Sequence, residues 1–210
     1  MSEEPPTVFI VDDDPSIRES LRRLVSSLGH AARTCTSAET FLETLRPDVL
    51  GCVILDVLLP DLNGLEVQAR LADLGVQLPI IFLTGSADIP MSVRAMKAGA
   101  MEFLTKPFRN EQLVEAIRVA LDTNRTMQRQ RVELAELSQR YESLSTRERQ
   151  VMAKVIEGLL NKQIAGDFGT TEATVKQQRA QVMSKMRANS VADLVRFAAR
   201  MGLEPAIHPK

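Results

Sequence analysis

The chain is poor in residues that hold soft metals or form crosslinks. Cys35 and Cys52 are the only cysteines, and His30 and His208 the only histidines, among 210 residues. Their unrelated spacings exclude a zinc site of the Cys/His kind. Both cysteines fall in apolar, strand-like segments and are expected to be buried thiols in a reducing cytoplasm rather than a bridge. No apolar run approaches the roughly 20 residues of a membrane span. The opening MSEEPPT is acidic and proline-bearing, so it is not expected to be a secretory signal. The phosphate-cradling pattern GxxxxGK[ST] is missing as well. Any phosphoryl group must therefore come from an outside donor.

What is present is unevenly divided. The formal net charge is −1, but residues 1–144 hold 15 Lys and Arg against 21 Asp and Glu, whereas residues 145–210 hold 11 against 6. An acidic front joined to a basic back points to two tasks, the second involving a polyanion.

From Val8 to about Asn124 short apolar runs alternate with amphipathic stretches. Strands are expected near 7–11, 31–35, 51–55, 79–83 and 100–104. Helices are expected near 15–28, 38–46, 65–74 and 89–98, with a fifth starting after Pro107. Gly29 and Gly75 stop two of them, Ser37 caps one, and Pro90 sits at a tolerated first-turn position. Five such units predict an α/β, flavodoxin-like (βα)5 domain over 1–122. Residues 123–143 are polar, helix-favouring and free of Gly and Pro. They read as a helical linker with a weak heptad pattern (Met127, Leu134, Tyr141 and Gln130, Leu137, Leu144). Residues 144–210 form an all-α four-helix unit. Ser145 to Glu148 make a capping box, Asn161, Thr171 and Ser190 cap three further helices, and the EPAIHPK tail is expected to be disordered. Two of these helices, joined by a turn at Gly169 with Lys, Gln and Arg on the second, read as a helix-turn-helix.

Four strands end in a polar residue that the strand itself does not need: Asp12 and Asp13, Asp56, Thr84, and Lys106. In parallel sheets the carboxyl ends of the strands share one edge, where ligands bind. Carboxylates crowded there cannot all stay ionised without a cation, and oxygen-only donors suit Mg²⁺. Asp56 could then attack phosphorus as a nucleophile, with Lys106 and Thr84 stabilising the transferring oxygens. Each residue alone has a plainer reading: helix cap or first-turn acids for Asp12 to Asp14, turn starter for Asp56, strand former for Thr84, solvated cation for Lys106.

Together, VDDD, LDxxLPDLNG, FLTG and FLTKPF resemble the receiver domain of two-component response regulators. The resemblance implies that Asp56 is phosphorylated by a sensor histidine kinase and that Asp13 is a direct Mg²⁺ ligand. Asp12 would act through water, the Leu58 carbonyl would complete the metal site, Thr84 and Phe103 would form a switch pair, and Lys106-Pro107 would be cis. Phe103 also reads as strand core. Leu58 and Ser86 depart from residues common in that family. A haloacid-dehalogenase-type phosphatase would need a second aspartate where Leu58 stands.

Residues 144–203 are similar to the LuxR-type DNA-binding module, of the FixJ/StyR-like subfamily, through Glu148, Gly158, Asn161, Lys162, Ile164, Ala165, Thr174, Val175 and Lys176. That resemblance implies double-stranded promoter DNA as partner. Lys176, Gln177 and Arg179 would face the major groove, and Lys162, Thr171 and Lys185 the phosphates. Gln178 stands where many relatives have histidine. A homodimer after phosphorylation and contact with RNA polymerase are further expectations. A protein-binding module remains the alternative for this unit.

Overall fold

The computed structural model describes residues 5–46, 49–85 and 89–203, with backbone alone at 89–92. Ser86 and the 204–210 tail with His208 lie outside the described residues, as do residues 1–4. Two compact units divide at Arg129/Gln130.

In the first unit, β1 (Thr7–Val11), β2 (Ala31–Cys35), β3 (Gly51–Asp56), β4 (Ile80–Thr84) and β5 (Glu102–Thr105) form one parallel sheet in the order β2-β1-β3-β4-β5. Between them run α1 (Pro15–Ser27), α2 (Ala38–Glu43), α3 (Gly64–Asp73) and α4 (Ile89–Lys97), and α5 (Asn110–Glu142) follows. Helices on both faces leave the central strands no polar side, which is why all six residues of β3 are buried. Strand alternation splits the core. Phe9, Val11, Val53, Leu55 and Phe82 pack towards residues of α2, α3 and α4, whereas Val8, Ile10, Ile54, Ile81 and Leu83 pack towards α1 and α5.

The order places the topological switch between β1 and β3, so the loops after these two strands leave in opposite directions and open a crevice. Local chemistry fixes the loops. Asp14 caps α1 through Oδ1, accepting from the Ser16 and Ile17 amides at 2.7 and 3.3 Å, with Pro15 at the first helical position. Asp61 reaches across to accept from the first amides of α2, Ala38 and Glu39. Gly64 opens α3 where a Cβ would lie 2.9 Å from the Phe82 ring and 3.1 Å from the Asp56 carbonyl. Only glycine lets α3 start so close to the end of β3.

Residue 124, assigned to the linker from sequence, is embedded in the first unit. The Asn124 side chain is 1% exposed; its Oδ1 accepts from the Gly51 amide and its Nδ2 donates to the Gln77 carbonyl. α5 runs unbroken from Asn110 to Glu142.

The second unit holds α6 (Thr146–Ile156), α7 (Asn161–Phe168), α8 (Glu172–Met186) and α9 (Val191–Arg200), packed on Leu137 and Leu144 around Val151, Ile164, Val175, Val182, Met186 and Leu194. Tyr141 packs against the same core, with the Arg149 guanidinium 5.2 Å from its ring centroid. Ser145, Thr171 and Ser190 are N-caps as expected. Asn161 is not. Leu160 holds the cap position, its amide satisfied by Gln163 Oε1 at 2.8 Å, and Asn161 is the first helical residue. Gly169 takes the left-handed conformation (φ 59°) that ends α7 and turns the chain into α8.

Candidate functional site

At the carboxyl edge of the sheet the structure gathers Asp12, Asp13, Asp56, Thr84 and Lys106. Asp12 and Asp13 follow β1 and Asp56 ends β3. Thr84 ends β4, one residue beyond Leu83, the register partner of Asp56. Lys106 follows β5, its amide donating to the Thr84 carbonyl at 2.7 Å, and the Lys106-Pro107 peptide is cis.

Lys106 lies between the two buried carboxylates, Nζ 2.7 Å from Asp12 Oδ2 and 2.6 Å from Asp56 Oδ2. Their second oxygens accept backbone amides, Asp12 Oδ1 from Asp14 and Asp56 Oδ1 from Leu58, each at 2.9 Å. Asp13 is exposed, yet Asp12, Asp13 and Asp56 each offer an oxygen within 4.8 Å of the others. Three carboxylates against one ammonium leave an excess of negative charge. Burial pushes the Asp12 carboxyl above its ordinary value even against the hydrogen bonds from Lys106 and the Asp14 amide. Burial also opposes charge on Lys106, but the bonds to Asp12 and Asp56 outweigh it and hold the ammonium above its ordinary value. An all-oxygen donor set with surplus negative charge fits a hard divalent cation.

Asp14, the third member of the run, belongs to the cap of α1 and not to the cluster. Arg18 is a participant that the sequence did not reveal; its Nη1 donates to the Asp12 carbonyl at 2.6 Å and fixes the turn carrying Asp12 and Asp13. The signal available was a cation one helical turn after the cap. Leu58 projects into solvent beside the cluster, 63% exposed. Phe103 is half-buried, its ring centroid 6.1 Å from that of Phe82. It is both partly core and partly surface.

In the second unit, Val175, Val182 and Met186 form the buried ridge of α8. Lys176 and Gln177 are exposed on the opposite side, and Lys162 is exposed on α7. Thr171 Oγ1 caps α8 by accepting from the Thr174 amide. Gln178 is half-buried, its Oε1 without a hydrogen-bond partner among the described residues. The Lys185 ammonium is paired to the buried Glu148 carboxylate at 2.6 Å, which ties α8 to α6. Arg179 does not share the outward face of Lys176 and Gln177. It lies four residues past Val175 and three before Val182, on the inner flank, and donates to Asn161 Oδ1 at 3.0 Å.

Comparison with known proteins agrees with both units. Residues 8–118 match the response regulator receiver domain, and residues 142–198 match bacterial regulatory proteins of the luxR family. The chain belongs to the response regulators that join a receiver to a LuxR-type DNA-binding domain, a class of transcriptional regulators. It is 47% identical over 201 residues to the response regulator protein TmoT of Ectopseudomonas mendocina, covering 96% of this chain and 91% of the relative. It is 41% identical over 201 residues to the transcriptional regulatory protein FixJ of Rhizobium meliloti, covering 95% and 98%. The solved response regulator StyR superposes with a TM-score of 0.83 at 46% identity, covering 94% of this chain and 100% of that one. A receiver implies a histidine kinase as partner, and a LuxR-type domain implies DNA. Among the described residues no helix is long and apolar enough to cross a membrane.

Proposed function

We propose that this protein accepts a phosphoryl group on Asp56 from a sensor histidine kinase in the cytoplasm and, in response, binds double-stranded promoter DNA to regulate transcription. The observation that carries this reading is the meeting of Lys106 with Asp12 and Asp56 at the switch-point edge. Asp13 and Asp56, with the Leu58 carbonyl, would hold Mg²⁺ directly and Asp12 through water; the ion would offset charge on the transferring oxygens. An Asp56 carboxylate oxygen forms the new bond to phosphorus as the phosphorus–nitrogen bond of the kinase phosphohistidine breaks, and the imidazole leaves with the electron pair. Lys106, already within hydrogen-bonding distance, follows the phosphoryl oxygens, and Thr84 donates to one of them. The receiver catalyses this transfer to itself and turns over no separate substrate.

Phosphorylation then shifts a two-state equilibrium of the receiver, with Thr84 and Phe103 as the switch pair. Val93 and Met96, each 46% exposed, together with Lys97 and Phe103, form the face on which a phosphorylated homodimer assembles. The assignment keeps 1–122 as receiver, 123–143 as linker and 144–210 as reader. Two reading units then present Lys176, Gln177, Gln178 and Thr174 to major grooves, with Lys162 and Thr171 at the backbone, and RNA polymerase is the further partner that regulation requires.

The test is incorporation of phosphate from a small acyl-phosphate donor with Mg²⁺. Asp56→Asn should abolish labelling with the far-ultraviolet circular dichroism unchanged. Persistence of Mg²⁺-dependent labelling in that variant would overturn the assignment. Fragments selected from genomic DNA should bind more tightly after phosphorylation and weaken steeply with salt.

A further inference from the structure

Several cations of the reading unit are paired with a carboxylate: Arg140 with Glu136, Lys154 with Glu157, Lys185 with Glu148, Arg196 with Asp193 and Arg200 with Glu133. On α6, Arg147 donates to the Gln150 side-chain oxygen and the Phe168 carbonyl, and Arg149 to the Glu142 carbonyl. Arg179, on α8, is likewise held by a neutral partner. It is half-buried, and its partner is the neutral amide of Asn161, so among the described residues its charge is fixed in place without being neutralised. A guanidinium has five N–H donors in a rigid fork. Asn161 takes one, and the rest remain for an anion.

The identity of residue 161 sharpens the point. It is the first helical residue of α7, where a carboxylate would gain from the positive end of the helix and would pair with Arg179. Helix stability therefore favours aspartate. An amide gives the hold without cancelling the charge. Lys162, next in the chain and exposed, adds a second cation at the same end of α7. The inner-flank position of Arg179 directs it away from base edges read by Lys176 and Gln177 and towards the strand backbone.

We propose that Asn161 is a positioning residue that presents Arg179, uncompensated, as a clamp for one DNA phosphate. The inference rests on the DNA-binding reading above and moves Arg179 from base recognition to register. Phosphate contacts set pose and carry no sequence information.

The test uses the full-length protein, a duplex selected from genomic DNA and a random duplex of equal length, titrated across monovalent salt. Arg179→Gln should weaken both duplexes by the same factor, roughly fivefold at physiological salt, and reduce the salt slope by about one per bound chain. Asn161→Asp keeps the hydrogen bond and should leave thermal stability equal or higher, yet weaken both duplexes to a similar degree. A purely structural Asn161 would be rescued by that substitution, and such rescue would overturn the proposal. So would a change in the preference between the two duplexes on Arg179→Gln, which would mark a base contact, or no effect on either. If the unaltered protein bound neither duplex at low salt, the DNA-binding reading would fall and this one with it, an outcome distinct from the others.

Discussion

Lys106 and Asp56, fifty positions apart in the chain, meet with Nζ 2.6 Å from Oδ2, and the same ammonium reaches Asp12 on the other side. Both carboxylates are nearly enclosed while the lysine is 19% exposed. Removing one member of such a group leaves charge without compensation. Lys106→Met should lower the stability of the receiver unit by about 3 kcal/mol without divalent ions. Millimolar Mg²⁺ should return most of the loss, because a cation between the carboxylates supplies the missing charge. Urea titrations with and without Mg²⁺ check this; an equal response of the variant and the unaltered protein to the ion would contradict it.

Asn124 joins α5 to two backbone groups that no strand partner satisfies, the Gly51 amide and the Gln77 carbonyl. Asn124→Ala strands the buried Gly51 amide and leaves the part-buried Gln77 carbonyl without this donor. It should cost about 2 kcal/mol, read as a lower urea midpoint of the receiver transition. Substitution of exposed neighbours such as Arg125 should be close to neutral.

Glu148 contributes to the acid sensitivity of the reading unit, as does Asp193, whose carboxyl the Asn189 amide also holds below its ordinary value. The Lys185 ammonium and the Ser145 amide hold the Glu148 carboxyl below the ordinary value of 4.5. The ionised form is thus favoured by folding. Its contribution is complete above about 4.5, the unfolded-state value, and is lost as pH falls from there through the depressed folded value. Glu148→Gln should flatten the acid side of the stability profile of residues 130–210, measured by thermal unfolding between pH 3 and pH 7 (roughly the window set by ordinary carboxyl values). An unchanged acid limb would argue against the pair.

Cys52 lies fully enclosed in β3, and burial pushes its thiol up to about 12. The nucleophile is the thiolate, so a thiol reagent should modify Cys52 only when the sheet opens. Labelling at neutral pH should track unfolding of the receiver and rise with urea; rapid labelling of the native protein would contradict the packing. Cys35, also buried and shifted upward by desolvation, should lag in the same way.

The strand and helix order was legible because short continuous apolar runs, amphipathic stretches and capping residues agree with the tertiary fold. The polar ends of four strands were legible for a related reason: a residue with no use inside a strand stands out against apolar neighbours. Three kinds of feature were not. Asp14 and Asp13 are identical in type, and only geometry tells the helix cap from the open carboxylate. Asn124 sits in a polar helical stretch where nothing marks one side chain as buried. Lys185 and Arg179 look alike as basic residues on one helix; what separates them is their facing partners, Glu148 and Asn161, distant in sequence.

The Tyr141 ring, half-buried beside Arg149 against the core of residues 130–210, has a practical corollary. The sequence contains no tryptophan and no other tyrosine. Intrinsic phenolic emission therefore originates wholly from the DNA-reading half, leaving the phosphoacceptor half optically dark beyond its phenylalanines. A single fluorescence trace would follow that half by itself in the intact protein, with no dye and no dissection of the chain.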